Sequence, residues 1–272
     1  MIKNKLHVVT SLLACTLLIS ACNSKDSIHS KNNTNISGNP SQQNGKIDSN
    51  STENNKIIQI DGVSYTIPLN NKKTEKYNFA IKTSEGIVWS PSPKMDIAPG
   101  TETNPYYFPT APFSFYLSSP DKKALRIDKA KKLFTLPLHD GKANLVVDEV
   151  FGLGDYIIYH TSSVFSDGAQ PLRQQAWVMR IDNPTSNKEI LEFHSTGGKS
   201  YSYAVDEKER LYVSVSVIPG NADGSDSYEV YVYNISTDKK EKVQNYSLNK
   251  PSIDSIQFNY NEKKYSYKLH AK

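Results

Sequence analysis

From Lys56 onward the chain is a succession of short runs in which apolar and polar residues alternate, broken by Gly, Pro, Asn and Asp. A period of two marks strands with one face buried and one wet. Ile57-Ile58-Gln59-Ile60 and Val63-Ser64-Tyr65-Thr66-Ile67 flank Asp61-Gly62, which predicts a hairpin closed by a type I′ turn. Tyr77 to Lys82 and Gly86 to Trp89 predict a second pair that turns at Ser84-Glu85-Gly86. Pro91 to Pro112 carries six prolines and little periodicity, so it reads as an irregular excursion before strands resume at Phe113 to Leu117.

Two fuller units follow. Asn144 to Val150, Tyr156 to Ser163, Ala176 to Ile181 and Glu189 to Phe193 make one, with Asp167-Gly168 in its second loop. Tyr201 to Val205, Leu211 to Ile218, Glu229 to Ile235 and Glu241 to Tyr246 make the next, with Asp223-Gly224 in the matching loop. Arg126-Ile127-Asp128 recurs as Arg180-Ile181-Asp182 and, degraded, as Asn234-Ile235-Ser236; 181 − 127 and 235 − 181 are both 54. A fixed period of this size is the signature of stacked supersecondary units. The isoleucine of each copy is expected to end a third strand and face a packed layer. Val147-Asp148-Glu149 and Val205-Asp206-Glu207 also match, at a spacing of 205 − 147 = 58.

The chain ends with Ile253 to Tyr260 and Tyr265 to Leu269, half of such a unit. The N-terminal hairpin supplies the other half, with Gln59-Ile60-Asp61 where Arg-Ile-Asp stands elsewhere. The pattern resembles a β-propeller of about four blades, each a four-stranded meander, closed by strands from both ends of the chain. Ser119-Pro120-Asp121-Lys122-Lys123 resembles the Ser-Pro-Asp-Gly-Lys turns of periplasmic propeller repeats, with Lys122 in place of the glycine. Five blades, or a β-sandwich, fit the same strands.

The N-terminus changes the picture of where this domain works. Lys3 and Lys5 precede a largely apolar stretch, Leu6 to Ile19, that is too short for a stable membrane span. Ile19-Ser20-Ala21-Cys22 follows and resembles the lipobox of bacterial lipoproteins. That resemblance implies a signal peptide over 1–21, diacylglycerol on Cys22, and an address on the extracytoplasmic face of a cell membrane. Cys15 and Cys22 are the two cysteines of the sequence, so cleavage would leave one, and no disulfide framework is expected. Residues 22–55 are rich in Asn, Ser, Lys and Gln and read as a disordered tether. Its coil dimension is on the order of 30 Å. The all-β domain then spans 56–272.

Tyrosine (17) outnumbers phenylalanine (9), which suits half-exposed sheets. The net charge of +4 is spread thinly along the chain and provides no nucleic-acid footprint. Removal of Lys3 and Lys5 leaves 30 − 28 = +2.

Candidate chemistry is sparse. His29, His139, His160, His194 and His270 form no metal-type pair, although His160 and His194 fall in one unit. Asn221 to Asp226 places Asp223 and Asp226 in a loop of hard oxygen donors, which suits Ca²⁺ but equally a plain hairpin turn. Ser166-Asp167-Gly168 is a weaker copy. Tyr106, Tyr107 and Phe108 sit in the Pro-rich excursion, where aromatic rings either stack on a ligand or pin the loop to the sheet. No catalytic motif is present. The expectation is a membrane-anchored binding module for a cell-envelope polymer, peptide or protein, with a propeller-type glycan hydrolase or lyase as the alternative. Such a hydrolase needs two carboxylates across a cleft, and Asp148, Glu149 and Asp155 are on offer.

Overall fold

The N-terminal hairpin forms as its sequence dictates. β1 (Asn55–Ile60) and β2 (Val63–Pro68) pair antiparallel through Asp61 and Gly62, both at positive φ (49° and 75°). The computed structural model describes residues 55–101, 103–167, 173–194, 200–218, 220, 226–249 and 253–271. Cys22, the stretch before it, the tether up to residue 54 and Asp223 lie outside the described residues, and Asn55, expected to end the tether, opens β1.

Three antiparallel meanders follow. In the first, β3 (Phe79–Thr83) and β4 (Gly86–Ser90) form a hairpin. A small ribbon, β5 (Met95–Ile97) with β6 (Tyr107–Pro109), occupies the Pro-rich excursion. β7 (Ser114–Ser118) and β8 (Lys131–Thr135) complete the order β3-β4-β7-β8. Tyr77 does not open β3; it ends a 3-10 segment, Lys72–Tyr77, whose first turn is capped by the Asn71 side chain.

The second meander contains β9 (His139–Asp140), β10 (Ala143–Leu153), β11 (Tyr156–Val164), β12 (Arg173–Arg180) and β13 (Lys188–His194) in sequential order. The third contains β14 (Ser200–Asp206), β15 (Leu211–Ile218), β16 (Ser227–Asn234) and β17 (Lys239–Lys242). A C-terminal sheet of β18 (Tyr246–Leu248), β19 (Ser255–Tyr260) and β20 (Lys263–Lys268) comes last, and β21 (His270–Ala271) returns to pair with β14. The fold is all-β: the described residues contain three 3-10 segments and no α-helix, and no helix among them is long and apolar enough to cross a membrane.

The 54-residue period is half real. Ile181 and Ile235 are equivalent: each directly follows a strand (β12 or β16), is buried, and donates its N–H to the carbonyl of the residue before the preceding strand, Asp155 or Arg210, at 3.0 Å. Ile127 is different. It lies in a 3-10 turn, half exposed (50 %), and the true third strand of the first meander is Ser114–Ser118. Arg126-Ile127-Asp128 matches the repeat by chance, which also accounts for the extra strand in that unit. The Asp148 and Asp206 segments are not equivalent either, because Asp148 lies inside β10 whereas Asp206 ends β14.

The two ends of the chain do not combine into one hydrogen-bonded blade. β1 and β2 form a sheet of their own, tied to the first meander side by a parallel bridge between Thr66 and Ala124, and β18–β20 form another. Tyr246, expected to end the third meander, instead opens β18.

One apolar cluster fills each junction in the series. Tyr65, Ile67, Ile87 and Trp89 join the hairpin to the first meander. Val88 and Phe115 meet Ile157 and Tyr159 at the next junction. Ile158 and Val178 then meet Tyr203, Tyr212 and Tyr233, and Val213 and Val230 meet Ile256 and Phe258. Consecutive residues such as Ile157, Ile158 and Tyr159 therefore go to opposite clusters, as strand geometry requires. At the two ends the outer faces are exposed and mostly polar: Gln59 and Ser64 on the hairpin, with Ile57 the apolar exception, and Gln257, Asn259 and Ser266 on the C-terminal sheet. Polar outer faces of this kind cap stacked arrays.

Gly152 fixes the closest approach of two meanders. A Cβ there would lie 2.4 Å from the Lys82 carbonyl oxygen, part of the backbone of β3. Gly152→Ala is expected to lower stability by about 1–3 kcal/mol, read as a lower urea midpoint.

Candidate functional site

β10 is long and mostly apolar, yet it carries two consecutive acids in its middle, Asp148 and Glu149. The ladder accommodates them with a bulge. Val147 opposes Thr161 and Glu149 opposes His160, so Asp148 is the extra residue. Each acid then has a fixed partner: Ser162 Oγ donates to Asp148 Oδ2 at 2.6 Å, and His160 Nδ1 lies 3.0 Å from Glu149 Oε2.

His160 is fully buried (0 %). Its Nε2 lies 2.9 Å from the Tyr212 hydroxyl. An ionised carboxylate only accepts, so with Glu149 ionised and the imidazole neutral, Nδ1 donates and Nε2 accepts the Tyr212 O–H. Phe151, Tyr201, Tyr203 and Tyr212 surround the imidazole, with Tyr203 edge-on at 4.5 Å between centroids. The Tyr203 phenol is pushed up by burial and then by its hydrogen bond to Glu149. Tyr212 is pushed up chiefly by burial. The chain Glu149–His160–Tyr212 thus satisfies polar groups that the packed second and third meanders would otherwise strand.

Beside Asp148 an open pocket of about 260 Å³ is lined by Tyr77, Tyr106, Tyr107, Asp148, Ser162 and Gln174, with Lys76 at its edge. The β5–β6 ribbon brings the two tyrosines there. Ala98 N–H donates to Tyr106 O at 2.9 Å, Thr110 N–H to Lys94 O at 2.8 Å, and Asn144 Nδ2 at the start of β10 donates to Pro109 O at 2.6 Å. Burial raises the Tyr77 phenol to about 12, helped by the charge of Asp148 and then by Tyr107. Tyr106 is raised by burial, then by Tyr77, Asp148 and Asp167.

The residues singled out in the sequence divide accordingly. Tyr106 and Tyr107 line the pocket, and the exposed Asp167 is close enough to act on Tyr106. Phe108 packs against the cluster between the first and second meanders, so it pins the ribbon to the sheet. Asp226 is exposed just before β16, and its expected companion Asp223 lies outside the described residues. Asp148, considered in the sequence only as a hydrolase carboxylate, lines the same pocket, whereas Tyr77, Ser162 and Gln174 were missed as site residues. The available signal was an acidic pair inside a strand whose other residues are apolar, Asn144 to Val150.

Elsewhere Arg173 gathers Asp140 (3.0 Å), Glu189 (3.3 Å) and Glu192 (2.7 Å), an ion network that ties β9, β12 and β13 together. Among the described residues no group of three or more His, Cys, Asp or Glu could hold a metal ion. Comparisons with protein-family models, with curated proteins and with solved structures found no match in any of the three.

The tyrosines set an alkaline limit. Tyr77 and Tyr233 rise from 10.0 to about 12, in both cases mainly through burial. Their neutral forms are favoured by folding, so this stabilisation is whole below pH 10 and is lost as pH rises through the folded values. Urea midpoints are expected to be flat up to about pH 10 and to fall between about pH 10 and 12. Tyr77→Phe should flatten part of that fall, with phenolate absorbance at high pH as the parallel reading.

Proposed function

We propose that this chain is a lipid-anchored, extracytoplasmic binding module, and that its all-β scaffold is propeller-like, with its ligand at the Tyr106–Tyr107–Asp148 pocket. Lipidation at Cys22 and the membrane address rest on the Ile19-Ser20-Ala21-Cys22 sequence. The propeller-like reading rests on three successive antiparallel meanders packed face to face. The ligand is a cell-envelope polymer, peptide or protein, and among these the pocket's chemistry favours a glycan.

One observation carries the binding reading. The Pro-rich excursion places Tyr106 and Tyr107 beside Asp148, Ser162 and Gln174 in an open pocket. Aromatic rings flanked by planar hydrogen-bonding side chains suit the apolar faces and hydroxyl edges of sugars. A glycan-processing hydrolase or lyase is the competing reading. It draws on Asp148 and Glu149, whose charges both reach Tyr201.

The test is binding of the full chain, in mild detergent, to isolated cell-wall glycan. Tyr107→Ala and Gln174→Ala are each expected to weaken binding by about three- to tenfold, with thermal melting unchanged. Binding that neither substitution alters would sink the proposal. Release of soluble fragments, abolished by Asp148→Asn, would establish the hydrolase or lyase instead.

A further inference from the structure

The first long strands of the three meanders, β3, β10 and β14, converge with β21 and the turn of the N-terminal hairpin on a second concavity of about 500 Å³. This lies within the range of small-molecule sites. Its wall is apolar where Ile81, Val150, Phe151 and Tyr203 contribute. The rim is charged with both signs: Asp61, Lys82 and Glu207.

The wall is preorganised. Tyr203 is almost wholly buried and stands edge-on to the buried His160 ring at 4.5 Å. Its ring meets Phe151 edge-on at 5.5 Å and stacks on His270 at 5.5 Å. The β3–β10 side cannot open without losing the close approach at Gly152 and the bond from Ser84 N–H to Gly154 O at 2.9 Å.

The rim is built of exposed groups from three separate segments. Lys82 Nζ lies 2.8 Å from Asp61 Oδ2, an exposed pair that leaves two of the three ammonium protons for another acceptor. Glu207 stands just past the end of β14. Two carboxylates against one ammonium disfavour a polyanion such as a nucleotide. Its polar rim is made of charged side chains, and the one amide present, Gln59, already donates to Ser64 Oγ at 2.7 Å, which leaves few of the neutral planar groups that suit a sugar's hydroxyls.

We propose that this concavity is a second ligand site, taking a small zwitterion with an apolar side chain, such as an aliphatic amino acid or a dipeptide containing one. The side chain lies against Ile81, Val150 and Phe151, the carboxylate meets Lys82 Nζ, and the ammonium meets Glu207. The site is separate from the Tyr106 pocket, so its failure leaves the glycan reading untouched.

The probe is alanyl-leucine, titrated calorimetrically into the full chain in mild detergent alongside its N-acetyl and C-amide forms. Saturable binding is expected, with each modification weakening it by about tenfold, the worth of one charge-assisted hydrogen bond. Lys82→Gln should remove the penalty for amidation and Glu207→Gln the penalty for acetylation. Both side chains are exposed, so melting should be unchanged, and Tyr107→Ala should leave this binding intact. Absence of saturable heat overturns the proposal. So does equal affinity for all three probes, or wild-type behaviour of both charge variants.

Discussion

Every internal sheet of this protein is sandwiched, and most of what the side chains do follows from that. A strand such as β11 sends Ile157 and Tyr159 to one cluster and Ile158 to the next. β15 likewise sends Tyr212 one way and Val213 and Val215 the other. Two buried faces turn alternation of apolar and polar into alternation of apolar and apolar, so the central strands carry near-continuous hydrophobic runs. The end sheets return to ordinary amphipathic alternation, and the outer strands carry lysines. Lys131 and Lys132 on β8 and Lys239, Lys240 and Lys242 on β17 are exposed, a charge pattern that discourages edge-to-edge association.

Sandwiching also makes any polar group on a central strand expensive. The acids of β10 are accommodated because the bulge gives Asp148 to Ser162 and Glu149 to His160, and because Tyr203 and Tyr212 complete the imidazole's surroundings. An unpaired buried polar atom costs about 1–3 kcal/mol, so this chain of contacts contributes most by leaving none of its members stranded. The same bulge gives the two concavities a common wall. Asp148 faces the pocket of Tyr106 and Tyr107, while Val150 and Phe151, two and three residues on, line the cavity of the inner strands.

Much of the fold was legible because strands, hairpins and turns are local events. The Asp61-Gly62 turn, the β3–β4 pair and the second and third meanders all follow from alternation and turn chemistry. The pocket was legible in part: Tyr106 and Tyr107 stood out as aromatic rings in a long loop, whereas Tyr77, at the end of a 3-10 segment, and Gln174, in β12, reach it through neighbours distant in the chain. Phe108 shows the limit from the other side. It shares a strand face with Tyr106, and both rings pack against the cluster between the first and second meanders, but Phe108 does not reach the pocket that Tyr106 and Tyr107 line.

The sequence by itself determined the all-β class, the positions of most strands and the true 54-residue spacing of Ile181 and Ile235, because period and turn type are properties of a few adjacent residues. It could not separate that repeat from the chance copy at Ile127, which differs only in burial and hydrogen bonding. The tertiary structure alone decided that the terminal hairpin and the C-terminal sheet remain separate. It alone decided, too, that the acidic pair inside an apolar strand gains Ser162 and His160 as partners and that Asp148 lines a pocket. Both depend on which sheets meet face to face, and that contact is made by residues far apart along the chain.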